Sequence, residues 1–181
     1  SRVAALTAAA ENLRRRSGAD APFSLAFLTD QARMPNPEIV ARALPTGAAI
    51  VLRDYRLPQR AALAKRLKSI CDMRGGLLII GADLSLAQAV GADGLHMPSW
   101  YMSSSYRPKS EASRDMIVTA ACHSAEDLED ADHFGADAAF LSPVFPTPSH
   151  PSEAYLGAQA FRAIAAASPL PVLALGGVDG K

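Results

Sequence analysis

The amino-acid sequence predicts an α/β protein, a (β/α)8 TIM barrel incomplete at its C-terminal end, and three observations carry that expectation. From residue 24 onward, short apolar β-type runs alternate with longer amphipathic stretches, the grammar of a parallel sheet covered by helices. The tripeptide Gly-Ala-Asp recurs at 18–20, 91–93 and 135–137, each time between a helical stretch and an apolar run. Each glycine can end its helix in the left-handed conformation and feed the next strand. Seven strands follow in fairly even units of roughly 25 residues, without the Gly-rich first turn of a nucleotide-binding open sheet, which favours a barrel.

The elements follow in order. Residues 2–16 are rich in Ala and Arg at near-helical spacing, and Gly18 offers a C-cap, so a helix precedes the first strand. Strand and helix then alternate as Ser24 to Leu28, Pro37 to Leu44, Ala48 to Leu52, Pro58 to Met73, Leu77 to Ile80 and Leu84 to Val90. The series continues with Gly94 to Met97, a polar stretch, Met116 to Cys122, Ala125 to Phe134, Ala138 to Val144, Ala158 to Ala167 and Pro171 to Leu175. A further Gly-Ala-Asp at 81–83 follows a strand and so belongs to the opposite rim. The stretch Tyr101 to Ser113, rich in Ser, reads as a mobile loop or lid. An eighth strand and the last helices are missing from this count. The edges of strands one and seven then call for a longer native chain or a covering neighbour, because unpaired edges invite aggregation.

Composition narrows the function classes. With 181 residues, 49% of them hydrophobic and 20% charged, residues 1–181 read as one globular domain with a real core. Eighteen basic against eighteen acidic residues leave no broad field for nucleic acid or an anionic membrane, so an anionic ligand must be gripped locally. The apolar runs are far shorter than the roughly 20 residues of a membrane span, and no export signal opens the chain, so a cytoplasmic protein is expected. A homo-oligomer is compatible with these features. Cys71 and Cys122 read as buried small hydrophobes, not as a disulfide, and no His/Cys spacing suggests zinc.

In a barrel, chemistry sits in the loops after the strands. The most informative is Phe140-Leu-Ser-Pro-Val-Phe-Pro-Thr-Pro-Ser-His-Pro151: four prolines stiffen it, Thr147 and Ser149 offer hydroxyls, and His150 offers a cation suited to a phosphate. After the seventh strand, Gly176-Gly177 lets backbone N–H groups approach an anion. His96 follows strand four and reads as packing.

Three segments taken together, Ala89-Val-Gly-Ala-Asp-Gly-Leu-His-Met97, Ser142-Pro-Val-Phe-Pro-Thr-Pro-Ser149 with Leu156-Gly157, and Pro171-Val-Leu-Ala-Leu-Gly-Gly-Val178, resemble the thiamine phosphate synthase family, which includes the thiazole tautomerase (TenI) branch. The resemblance implies a transferase of thiamine biosynthesis that joins hydroxymethylpyrimidine pyrophosphate to thiazole phosphate with loss of pyrophosphate. It implies anion stabilisation and positioning instead of a nucleophile. It places Thr147, Ser149, Gly176 and Gly177 at the thiazole phosphate, with His150 where a lysine is usual, and Arg53 at the pyrophosphate end. Mg²⁺ is expected for the family, yet its ligand positions fall on Gly81, Ala82 and Tyr101, none a carboxylate, with Asp83 the one acidic residue nearby. Val51, Tyr55 and Ala121 also stand where glutamine, lysine and serine are usual. Two further readings stay open: a metal-independent tautomerase with His123 as proton shuttle, and a non-catalytic barrel that binds a phosphorylated ligand, with Trp100 and Tyr101 stacking on a flat heterocycle.

Overall fold

The computed structural model of the chain describes residues 2–102, 115–147 and 154–178. The expected alternation is borne out. Helix α1 (Arg2–Ser17) precedes β1 (Ala26–Leu28), α2 (Pro37–Ala43), β2 (Ala49–Leu52), α3 (Arg60–Arg74), β3 (Leu77–Gly81), α4 (Leu84–Val90) and β4 (Gly94–Met97). There follow α5 (Ser99–Met102), β5 (Ile117–Cys122), α6 (Ala125–His133), β6 (Ala138–Leu141), α7 (Gly157–Ala167) and β7 (Val172–Ala174). All seven strands lie parallel in sequence order in one sheet, β1 to β7. A sheet in which every strand neighbours the next, connected by helices of one hand, curls toward a barrel instead of being wound on both sides of a first strand.

How far it curls is shown by the side chains. Phe23, just before β1, stacks on Phe140 of β6 with ring centroids 6.1 Å apart, so the concave interior is filled from both ends of the sheet. Ala49, Val51, Ile79 and Phe140 form this inner cluster. Their strand neighbours Ile50, Leu52, Leu78, Ile80, Leu95 and Leu141 point the other way, into the layer beneath the helices. Strand alternation therefore builds two cores from nearly continuous apolar runs. Each fully buried Leu or Ile is worth about 1.5–3 kcal/mol.

The Gly-Ala-Asp repeat turns out to be a two-part device. Gly91 caps α4 in the left-handed conformation at φ 62°, and Gly18 and Gly135 take positive φ after α1 and α6. The aspartate two residues on then ties the adjoining strand at two points. Asp93 donates its N–H to Leu78 O (2.8 Å), and its carboxylate accepts from Leu78 N (2.8 Å). Asp137 does the same to Val118, at 2.7 and 2.8 Å. Because Leu78 is fully buried, removing the acceptor strands a backbone N–H. Asp93→Ala is expected to cost about 1–3 kcal/mol in urea unfolding, whereas Asp72→Ala, which removes the more exposed of the two carboxylates paired with Lys68, should leave stability within about 0.5 kcal/mol of wild type. Equal effects of the two substitutions would remove this role.

Two local expectations change. The sixth strand ends at Leu141, not Val144, because Pro143 has no N–H for the ladder and the chain turns into a loop. The segment after Pro98 is the short helix α5 instead of a loop, with Tyr101 N bonded to Pro98 O at 2.8 Å. Most of the expected lid, 103–113, lies outside the described residues. Cys71 and Cys122 are buried and unpaired, and burial pushes their thiols up to about 11 and about 12. Among the described residues no helix is long and apolar enough to cross a membrane.

Candidate active site

Side chains two residues past an inward-facing position face inward again. Val51, Ile79 and Phe140 are inward, which puts Arg53, Gly81 and Ser142 around the C-terminal mouth, at the ends of β2, β3 and β6. By the same alternation His123 follows Ala121, the partner of Phe140, at the end of β5.

On one side of the mouth the loops after β6 and β7 are zipped together. Val144 N bonds Leu175 O at 2.9 Å and Phe145 N bonds Gly176 O at 3.0 Å. Gly176 and Gly177 sit at φ 88° and 65°, where a side chain is strained. A Cβ on Gly176 would lie 2.9 Å from Pro143 Cα, and one on Gly177 would lie 2.5 Å from Pro146 O. The glycine pair thus lets the Pro-rich loop press against it, which brings the peptide next to Thr147 onto Gly177. Among the described residues the Gly176 and Gly177 amides donate to no protein acceptor, while the Gly176 carbonyl accepts from Phe145 N. Two open N–H groups beside a hydroxyl residue form an anion cradle. Ser149 and His150 lie outside the described residues.

His123 stands beside this cradle. Its Nδ1 is 2.8 Å from Ser142 O, and its backbone N–H donates to Asp127 at 2.6 Å. A carbonyl can only accept, so Nδ1 carries a proton on the Ser142 side, which makes Nε2 the nitrogen able to act as a base. Asp127 is itself fixed because the Ser124 hydroxyl caps α6 by accepting from its N–H. The ring is exposed and its base nitrogen is oriented by the same β6 strand end that begins the cradle.

The opposite side is built differently from the expectation of a metal. Arg53 donates from Nε to Thr29 O at 3.3 Å, and its backbone N–H reaches the Thr29 hydroxyl at 3.0 Å. Asp54 turns away from it to accept from Thr29 Oγ1 (2.6 Å) and Gln31 N (2.9 Å). Beside Gly81 the space is taken by the Tyr55 ring, so close that a Cβ on Gly81 would lie 2.9 Å from it. Tyr55 meets Trp100 edge-on at 5.9 Å, and Trp100 meets Tyr101 at 5.6 Å. The Arg60 guanidinium lies over Tyr55, 5.6 Å from its centroid. Arg60 is 9% exposed and donates to Leu52 O at 3.1 Å, to Gly81 O at 2.5 Å and to Asp83 at 3.3 Å. Burial lowers the Arg60 pKa and raises that of the Tyr55 hydroxyl.

These residues do not fit Mg²⁺. Gly81 and Ala82 bring no side-chain oxygen, and the Gly81 carbonyl is already spent on a guanidinium. Ala82 holds φ 53° with its amide on His96 O, a backbone posture that serves the turn. Asp83 caps α4 through Leu86 N (2.8 Å) and pairs with Arg60, so neither oxygen waits for a metal. A dication about 5 Å from a guanidinium is opposed by roughly 7 kcal/mol at an effective dielectric of about 20. Among the described residues no three His, Cys, Asp or Glu side chains cluster to hold a metal ion.

Arg60 is the residue that sequence reading missed, because it lies in the first turn of α3, beyond the loop. One signal was available: a basic residue at a helix N-terminus opposes the helix dipole and so calls for a nearby acceptor.

The comparisons with known proteins identify the family. The family described as thiamine monophosphate synthase matches residues 25–181. The thiamine biosynthesis bifunctional protein of Symbiobacterium thermophilum is 34% identical over 151 residues, covering 78% of this chain and 30% of that protein. The thiamine-phosphate synthase of Thioalkalivibrio sulfidiphilus is 32% identical over 149 residues, covering 77% and 68%. Thiamine phosphate pyrophosphorylase from Pyrococcus furiosus superposes with a TM-score of 0.70 at 29% identity, over 85% of this chain and 75% of that one. The 2-keto-3-deoxy-6-phosphogluconate aldolase of Zymomonas mobilis, at 17% identity and a TM-score of 0.55, shares the fold alone. With the matched family spanning almost the whole sheet and both sides of the mouth, this chain belongs to the thiamine monophosphate synthase family.

Proposed function

We propose that the chain is a transferase of thiamine biosynthesis that joins hydroxymethylpyrimidine pyrophosphate to thiazole phosphate and releases pyrophosphate. The observation that supports this most is the zipped β6 and β7 loops, which set the open amides of Gly176 and Gly177 beside Thr147 at the mouth. In this reading those groups, with Ser149 and His150, hold the thiazole phosphate. Arg53 holds the pyrophosphate across the mouth. The C–O bond to pyrophosphate breaks, pyrophosphate departs with the electron pair, and the thiazole nitrogen forms the new C–N bond with the pyrimidine carbon. The chain supplies fixed positive ends for two anions and keeps the rings aligned between them, so binding energy is turned into proximity. We place the reaction in the cytoplasm, since two buried free thiols suit a reducing compartment. Full-length protein given both substrates should yield thiamine phosphate, and no product above the uncatalysed background counts against a transferase.

The second reading, a thiazole tautomerase, draws on Nε2 of His123. Proton transfer by a placed imidazole contributes about 10²–10⁴-fold. His123→Asn should therefore slow thiazole tautomerisation by about that factor if this reading holds. In the transferase reading, product formation falls less than about tenfold, because no proton transfer limits it.

A further inference from the structure

We propose that Arg60 is the permanent cation of the β2–β3 side of the mouth, and that this side takes a pyrophosphate group without a divalent metal. The inference rests on the transferase reading for the identity of the anion, and on the structure for the cation. The carbonyls of Leu52 and Gly81, at the ends of two neighbouring strands, converge on one Arg60 nitrogen. Neutral carbonyl oxygens are the kind of donor that a hard metal ion would also take, and here a guanidinium fills them. Leu52 O belongs to the peptide that leads into Arg53, so Arg60 also pins the backbone from which Arg53 projects. Asp83 offsets part of the charge, and the Tyr55 and Trp100 rings shield it from water on one side. One donor stays open: Arg60 Nε is buried with no partner among the described residues. Charge accounting agrees. Two carboxylates with one dication sum to zero, as do Arg60 and Asp83, so the exchange leaves the net charge of the site unchanged. Arg53 supplies the contact: among the described residues its terminal nitrogens have no partner. Arg60 acts behind it as a positioning residue.

The test is calorimetric titration of the full chain with inorganic pyrophosphate, once in EDTA and once in excess Mg²⁺, and with Mg²⁺ alone. We expect pyrophosphate to bind in EDTA, Mg²⁺ to strengthen it by less than about threefold, and Mg²⁺ alone to give no saturable heat. Arg60→Gln should lose at least about tenfold in pyrophosphate affinity, and Arg60→Lys should recover part of it, since lysine restores the charge but not the fork that spans two carbonyls and Asp83. Should Arg60→Gln fail to fold, the wild-type comparison in EDTA and Mg²⁺ still decides. Saturable Mg²⁺ binding, or a tenfold or greater gain with Mg²⁺, overturns the proposal, as does a folded Arg60→Gln that binds like wild type. Absence of pyrophosphate binding in both conditions also overturns it. If thiazole phosphate still bound at the β6–β7 side in that case, the transferase reading would fail separately, on the product assay alone.

Discussion

Gly177→Ala is expected to destabilise the protein by about 2–4 kcal/mol and to lower affinity for thiazole phosphate at least a hundredfold. The left-handed backbone costs a non-glycine residue about 1–2 kcal/mol by itself. The remainder comes from overlap, since the new methyl would sit 2.5 Å from Pro146 O and 2.8 Å from Phe145 Cβ. Neither neighbour is the free end of a flexible chain, so the β6 loop must lift, and the cradle opens. Gly91→Ala separates the two causes: Gly91 has φ 62° but nothing within 4 Å, and it lies on the far rim of the sheet. Gly91→Ala should show the strain alone and bind thiazole phosphate normally. Urea unfolding and calorimetry of both variants check this, and a Gly177→Ala protein no worse than Gly91→Ala would remove the argument from close approach.

The second large effect is acid sensitivity, and it resides in His96. This ring is 2% exposed inside the barrel, 3.0 Å from the Thr119 hydroxyl and edge-on to Phe140 at 5.7 Å. Burial, aided by the nearby Arg53 charge, pushes its pKa down to about 3 from 6.5. Between those values the unfolded chain binds a proton that the folded chain excludes. Stability is therefore complete above about pH 6.5 and falls with acidification toward pH 3, by about 1.4 kcal/mol per unit. From pH 7.5 to 5.0 the wild type should lose about 2 kcal/mol more than His96→Gln, whose side chain does not titrate. Urea midpoints at the two pH values give the double difference, and equal losses would show that His96 is not the proton-linked group.

The fold was largely legible because its signals are local. The helix-ending glycines of the repeat, the apolar runs and their spacing all lie within a few residues of one another. The role of the repeat's aspartates was hidden, because Asp93 and Asp137 act on strands 15 and 19 residues away. Which residues of an apolar run face the barrel interior was hidden too: Ile50 and Val51 read alike, and only the curl of the sheet separates them. At the mouth, the glycine pair and Thr147 were readable from their loops. The Arg60 clamp was not, since it depends on two carbonyls from different strands, and carbonyls leave no trace in a sequence.

Whether one phosphate lies between the β6 and β7 loops is decided by a crystal structure of the full chain with thiazole phosphate. Phosphate oxygens are expected at about 3 Å from the Gly176 or Gly177 amide nitrogen and from Thr147 Oγ1. A phosphate seated at Arg53 instead, with those amides left to water, would contradict this placement.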